Sequence, residues 1–340
     1  MATTPVGSRS ATAGDRPGRA GEVAECLRGV YLAYAEGPES GAVTVVAAFS
    51  EEAALAHART RAAALEALYE TPPVAPPSPA GARRLTLADF VAERPAVDVS
   101  APVPGVGLLS RDRYLLPAEI VRIGGRDRGV EPTLVGVVEK DVGAAVADLL
   151  AHDVVIRWWE SPRTPLLRVS EHLGGLLPPG VLPAASALGL RVSGFVLPGA
   201  GFRIGLVGVS GDGTTVAAAA GRTVEAAIGE AFLRAMAARA QPWATLPVTD
   251  SLRRLTVWHR ETDYLTYLER SAVDADPAAL DDPAPGEGAP GWPDIACRRF
   301  GHEPVVVGRG TPGGPVKVVC PGAACYRAAP PGPMLPCPVP

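Results

Sequence analysis

The chain has 340 residues, room for one large domain or two ordinary ones, and its 47% hydrophobic content is enough for a sizeable core. A net charge of −4 with no Lys/Arg run argues against a nucleic-acid partner. No apolar run reaches the length of a membrane span, since the most apolar region, residues 201–209, is interrupted by Arg203. The N-terminus MATTPVGSRSATAGDRPGRAG lacks the apolar core of a signal peptide. Five irregularly spaced cysteines make no secreted disulfide framework and no zinc-finger spacing, so the expected location is the cytoplasm.

Residues 1–21 are small and polar and read as a disordered leader, ahead of a single folded unit over 22–340. Cys26 to Tyr34 is a short amphipathic segment, and Thr44 to Phe49 a strand. Ser50-Glu51-Glu52 is a helix start, because a hydroxyl cap followed by acids suits the free N–H groups of a first turn. The Ala/Leu-rich helix that follows runs to about Glu70 and carries Glu66. Residues 71–82, TPPVAPPSPAGA, form an extended Pro-rich connector. Leu85 to Glu93 is a short helix.

Residues 141–160, DVGAAVADLLAHDVVIRWWE, form the central helix. Val142, Val146, Leu149 and Leu150 recur at helical spacing, and Asp141 stands at the N-cap. Asp148 and His152 share a face, as do Asp153 and Arg157. A core helix with two solvated pairs meets the same pattern. Gly189 to Leu197, Phe202 to Val209 and Thr214 to Ala220 are strands, with a turn at Ser210 to Gly213. The glycines 199, 201 and 205 have the wrong spacing for a dinucleotide loop, and a strand follows them. Gly221 to Ala240 is a third long helix, capped by Thr223, with Glu230 and Arg234 four apart. Asp250 to Arg270 is helical. Residues 274–294 are an acidic Pro/Gly-rich mobile loop, Glu303 to Val307 and Val316 to Val319 are short strands, and residues 330–340 are a Pro-rich tail.

The run D-L-L-A-H-D-V-V-I-R-W-W resembles the helix E-L-x-E-R-D-A-x-x-x-W-W of the YcaO family. Asp148 stands for the first Glu, Ala151 for the second and His152 for the Arg, while Asp153, Trp158 and Trp159 match outright. Residues 64–70, ALEALYE, resemble a family helix with two Glu three apart; Glu66 keeps the first and Tyr69 replaces the second. Tyr114 to Val121 resembles a V-P-A-x-L-V segment. Thr133 to Lys140 falls where the family has a Gly- and Asn-containing loop, and offers Gly136 without the Asn. Glu230 matches the carboxylate of a later helix, with Arg234 or Arg239 as a phosphate-facing cation. Pro336, Pro338 and Pro340 resemble the family's P-x-P-x-P tail, which lies beside the active site.

The resemblance implies a mixed α/β fold in which sheets and long helices from two halves enclose a nucleotide cleft. It implies ATP and Mg2+ as cofactors of a functional site, and none otherwise, with Glu66, Asp148 and Glu230 as metal ligands on helices that converge on one cleft. His152, Arg157 and Arg234 would face the nucleotide, and the tail prolines the reaction. The implied chemistry is ATP-dependent modification of backbone amides in a ribosomally made peptide, giving azolines, thioamides or amidines. The implied partners are a precursor peptide, an active YcaO protein and a peptide-binding protein, and a dimer is compatible with them. Magnesium favours six oxygens. Tyr69 and Ala151 remove two, and Asp148 is a methylene shorter than Glu, a shift of about 1.5 Å against a working tolerance of about 0.5 Å. The pattern therefore leans to a non-catalytic scaffold or partner subunit. A divergent active cyclodehydratase or thioamide-forming enzyme, and an unrelated α/β protein with chance matches, stay open.

Overall fold

The computed structural model describes residues 21–69, 81–91, 102–122, 135–138, 141–242, 257–276, 278, 280, 289–308, 316–326 and 335–339. Most of the leader, the Pro-rich connector, the acidic loop and the tail before Leu335 lie outside these, as do Glu70, Lys140 and Pro340.

Three sheets alternate with three long helices. The first sheet is an antiparallel meander of β1 (Val23–Leu27), β2 (Val30–Glu36) and β3 (Val43–Ala48). The expected amphipathic segment at Cys26 to Tyr34 is therefore a hairpin. Arg28 and Gly29 make its two-residue turn, with Gly29 at φ +73° and Leu27 opposite Val30. Helix α1 (Glu51–Tyr69) starts at Ser50, whose Oγ accepts the Ala53 N–H at 3.2 Å. Ala54, Ala58 and Ala62 lay a smooth stripe on Ala33, Ala35 and Ala48 of the sheet. The next turns, with Ala64, Leu65 and Leu68, leave that sheet for a second core that contains Leu116 and Leu149.

Between α1 and the central helix come β4 (Arg83–Arg84), α2 (Leu87–Phe90), β5 (Val103–Gly107), β6 (Arg113–Leu116), α3 (Ala118–Val121) and β7 (Val137–Val138). The central helix is α4 (Val142–Glu160). Asp141 is its N-cap by position, but its side chain makes no capping bond. After β8 (Leu166–Arg168), α5 (Leu173–Leu176) and α6 (Val181–Ala187) come the three long strands β9 (Arg191–Gly199), β10 (Phe202–Gly211) and β11 (Gly213–Gly221). Helix α7 (Val224–Ala240) follows, and here Thr223 does cap, accepting the Ala226 N–H at 3.1 Å. The chain closes with α8 (Tyr264–Ser271), β12 (Ala272–Asp274), α9 (Trp292–Phe300), β13 (Val305–Gly308) and β14 (Val316–Val319).

The second sheet has the order β11-β10-β9-β8-β12 and the third β4-β6-β5-β13-β14-β7. Period-two alternation on β10 and β11 decides the layering. Val207, Val209, Ala217 and Ala219 face α7 and the first sheet, whereas Ile204, Leu206, Val216 and Ala218 face α4. At Gly205 the α7 backbone comes so close that a Cβ would lie 2.6 Å from the Ala227 carbonyl. Helix α4 is thus enclosed on both sides: Ala145, Val146 and Leu150 meet the second sheet, and Leu149 joins the core under the third. Among the described residues no helix is long and apolar enough to cross a membrane.

Candidate functional site

Helices α1, α4 and α7 meet around Asp148, which is only 7% exposed. Its Oδ2 accepts the Gly136 N–H at 2.8 Å, and its Oδ1 accepts from the Arg234 guanidinium. The Arg234 Nε donates to Glu230 Oε1 at 2.9 Å, one turn away on α7. His152 Nδ1 lies 2.9 Å from the Asp148 carbonyl and 3.6 Å from its Oδ1. From α1 the residue that reaches this group is Arg61, within electrostatic range of Asp148, Arg234 and Glu230.

Burial opposes ionisation of Asp148, but the Arg234 guanidinium and the Gly136 N–H outweigh it and hold the carboxyl well below the usual range. Burial likewise disfavours the Arg234 cation, yet Asp148 and Glu230 overcome it and fix the charge. Burial depresses His152 despite the neighbouring Asp148, which keeps the ring neutral at pH 7. The group is an acid–arginine network: Asp148 and Glu230 against Arg234 and Arg61.

Of the expected metal ligands, Asp148 and Glu230 are brought together, through Arg234. Glu66 is not part of this pair. Its carboxylate accepts from the Ser40 N–H at 2.9 Å and the Ser40 Oγ at 2.6 Å, and so closes the turn between β2 and β3. The physical reason is helical phase: Glu66 lies five residues beyond Arg61, about 140° around the axis. Ala151, at the position of the second motif Glu, is fully buried in the apolar core around α4. Among the described residues no three His, Cys, Asp or Glu side chains are grouped to hold a metal. Magnesium needs several free oxygens; here one carboxylate has both oxygens hydrogen-bonded and the other shares its cation. This donor set does not fit a magnesium ion.

Arg157 faces elsewhere. Its Nε donates to Asp153 Oδ1 at 2.8 Å and its other nitrogen to the Gly322 carbonyl. Asp153 is fully buried and also accepts from Arg299 Nε at 2.6 Å and the Ala324 N–H at 2.8 Å. The pair expected on a solvated face is a hub tying α4 to α9 and the turn after β14. Arg239 serves the β10–β11 turn, donating to the Asp212 and Gly213 carbonyls. Trp159, about 16 Å along α4 from Asp148 by helical rise, donates its indole N–H to the Leu335 carbonyl at 3.0 Å. Tyr264 donates to the Pro336 carbonyl at 3.0 Å, and His259 Nε2 lies 3.2 Å from that of Pro338. Pro336 and Pro338 are thus held by an aromatic seat in which Trp159 packs on Tyr264 and Tyr267.

Sequence reasoning missed Arg61. Its signal was a cation amid the apolar positions Ala58, Ala62 and Leu65 of an otherwise alanine-rich face. Gly136 is the glycine that the 133–140 segment offers at the position of the family's loop, and without a side chain its backbone N–H can approach an anion. It does so, and the anion is the carboxylate of Asp148.

No protein-family model and no curated protein matches the sequence. Solved structures do. YcaO from Methanopyrus kandleri, bound with AMPPCP and Mg2+, superposes with a TM-score of 0.64 at 17% identity, over 90% of this chain and 86% of that one. A subunit of the E. coli microcin synthetase McbBCD complex matches at 0.59 and 11% identity, over 88% and 87%. A heterocyclase in complex with substrate and cofactor matches at 0.55 and 14%, over 86% of this chain but 47% of that one, so the chain spans about half its length. The chain has the fold of the YcaO proteins.

Proposed function

We propose that the chain is a YcaO-like protein of ribosomal-peptide modification that works as a non-catalytic scaffold or partner subunit for an active YcaO enzyme and a peptide-binding protein. The observation that carries the reading is the Arg234 guanidinium on Asp148, inside a fold whose Methanopyrus relative binds AMPPCP and Mg2+. Of the acids that resemble family metal ligands, Asp148 and Glu230 are matched by Arg234, and Glu66 is engaged by Ser40. A subunit role is supported by the microcin synthetase relative, which comes from a multi-protein complex. The reaction it serves is the ATP-dependent formation of azolines, thioamides or amidines, carried out by the partner in the cytoplasm, and the chain needs neither ATP nor Mg2+ for its own part.

The test is phosphate release with Mg2+, ATP and the precursor peptide encoded beside the gene. The purified chain gives no turnover alone and raises turnover when mixed with the complete YcaO partner from the same neighbourhood. Robust turnover by the chain alone, abolished by Asp148→Ala or Glu230→Ala, establishes a divergent enzyme instead.

A further inference from the structure

The network at the helix junction is balanced within itself. Asp148 and Glu230 supply two negative charges, Arg234 and Arg61 two positive ones, and His152 is neutral. Arg234 makes one-sided use of its fork: Nε to Glu230 on its own helix and a terminal nitrogen to Asp148 on α4, with the Ala218 carbonyl of β11 3.4 Å from the same nitrogen. One guanidinium therefore bridges two helices and a strand. Gly136 completes the Asp148 shell from the turn before β7, at φ +76° with a Cβ position only 2.5 Å from the Val318 carbonyl, so no other residue fits there without a shift.

Buried charges left unpaired are costly, and removing one partner of such a pair is far worse than never having built it. Without Arg234, Asp148 keeps the Gly136 N–H, Glu230 loses its ion-pair partner, and Arg61 is the one arginine left against two acids. Two acids against one arginine leave room for a further cation. We propose that Arg234 is the resident cation of this junction: held by Glu230 on its own helix, it ties α7 to α4 through Asp148 and keeps the acid pair closed to divalent metal ions. The inference rests on the non-catalytic half of the reading above and not on any partner. It is tested on the purified chain alone, so failure of subunit binding leaves it untouched.

The test compares wild type, Arg234→Gln and the double variant Asp148→Asn/Arg234→Gln, using Mn2+ as the probe at pH 7.5. Thermal unfolding is followed with and without millimolar Mn2+, and binding is read from the loss of the free Mn2+ electron paramagnetic resonance signal. Wild type shows no saturable Mn2+ binding and no shift in Tm. Arg234→Gln has a lower Tm, binds Mn2+ saturably and recovers part of the lost Tm when it does. The double variant, which lacks both charges, is indifferent to Mn2+. If Arg234→Gln does not fold alone, its refolding yield with and without Mn2+ gives the same readout. Saturable Mn2+ binding by wild type, or an Arg234→Gln protein whose stability and refolding ignore Mn2+, overturns the proposal.

Discussion

Asp153→Asn is the substitution with the clearest magnitude. The wild-type carboxylate is fully buried and accepts three hydrogen bonds, from Arg157, Arg299 and the Ala324 N–H. Asn keeps the shape but loses the charge and one acceptor, so at least one guanidinium loses its partner. Breaking a buried ion pair costs about 3–5 kcal/mol. Here the Arg157 and Arg299 side chains are 44% and 33% exposed, so water partly replaces the lost partner and the low end applies, about 3 kcal/mol. At about 2.1 cal/mol/K of unfolding entropy per residue, a chain of this size loses about 4 °C in Tm. Scanning calorimetry at pH 7 reads it. The partners also predict where the loss appears: amide exchange should rise first in α9 and in the turn at Ala324–Tyr326. A Tm within a degree of wild type, with unchanged exchange in those segments, would refute the hub assignment.

Other outcomes follow from single contacts. Trp159→Ala removes the N–H that holds the Leu335 carbonyl and the ring under Tyr264, so amide exchange at Leu335, Cys337 and Val339 should rise while wild type stays protected. Gly205→Ala drives a Cβ into the Ala227 backbone and costs about 1–3 kcal/mol, seen as a lower urea midpoint. His259 is buried, and burial depresses its pKa below 6.5 despite its contact with Pro338. A depressed base is neutral in the fold, so its contribution is present above pH 6.5 and lost as pH falls toward the folded value. His259→Gln should flatten the decline of Tm over that acid window. Lys317 is 1% exposed and burial lowers its pKa from 10.5 to about 8. The unfolded chain then binds more protons between those values, and stability rises from pH 8 to 10.5. Lys317→Met should remove that rise; an unchanged pH profile would overturn the buried, depressed ammonium.

The long elements were legible because their signals are local. The alanine stripe of α1, the cap at Thr223 and the strands β9 to β11 all sit where periodicity and turn residues put them. The hairpin of β1 and β2 is masked in the sequence because its two short strands run together as one amphipathic stretch, although Arg28-Gly29 between two apolar runs is a hairpin turn. The site was half legible. Asp148, Glu230, His152 and Arg234 do gather. Glu66 misled because a carboxylate on a good helix says nothing about which way its turn faces. Arg61, five residues earlier, points where the motif wanted an acid. Only the packing of α1 against two different cores fixes that phase, and it is a tertiary fact.

The positions of the central motif that match the family outright turn out to be those with structural work. Asp153 ties three segments together, Trp158 donates to the Thr164 carbonyl in the connection from α4 to β8, and Trp159 seats the tail. The positions that differ, Asp148, Ala151 and His152, are the ones that face the junction or fill the core beside it. Two kinds of constraint act on one helix. Packing contacts must be kept for the chain to fold at all, because an emptied hub leaves buried guanidinium and indole groups without partners. Acids at the junction repel one another unless they are matched: position 151 is an alanine buried among apolar side chains, and Arg234 matches Asp148. A helix that keeps its hub and tryptophans while pairing its acids within the chain stays recognisable as this motif, because those contacts hold the fold together.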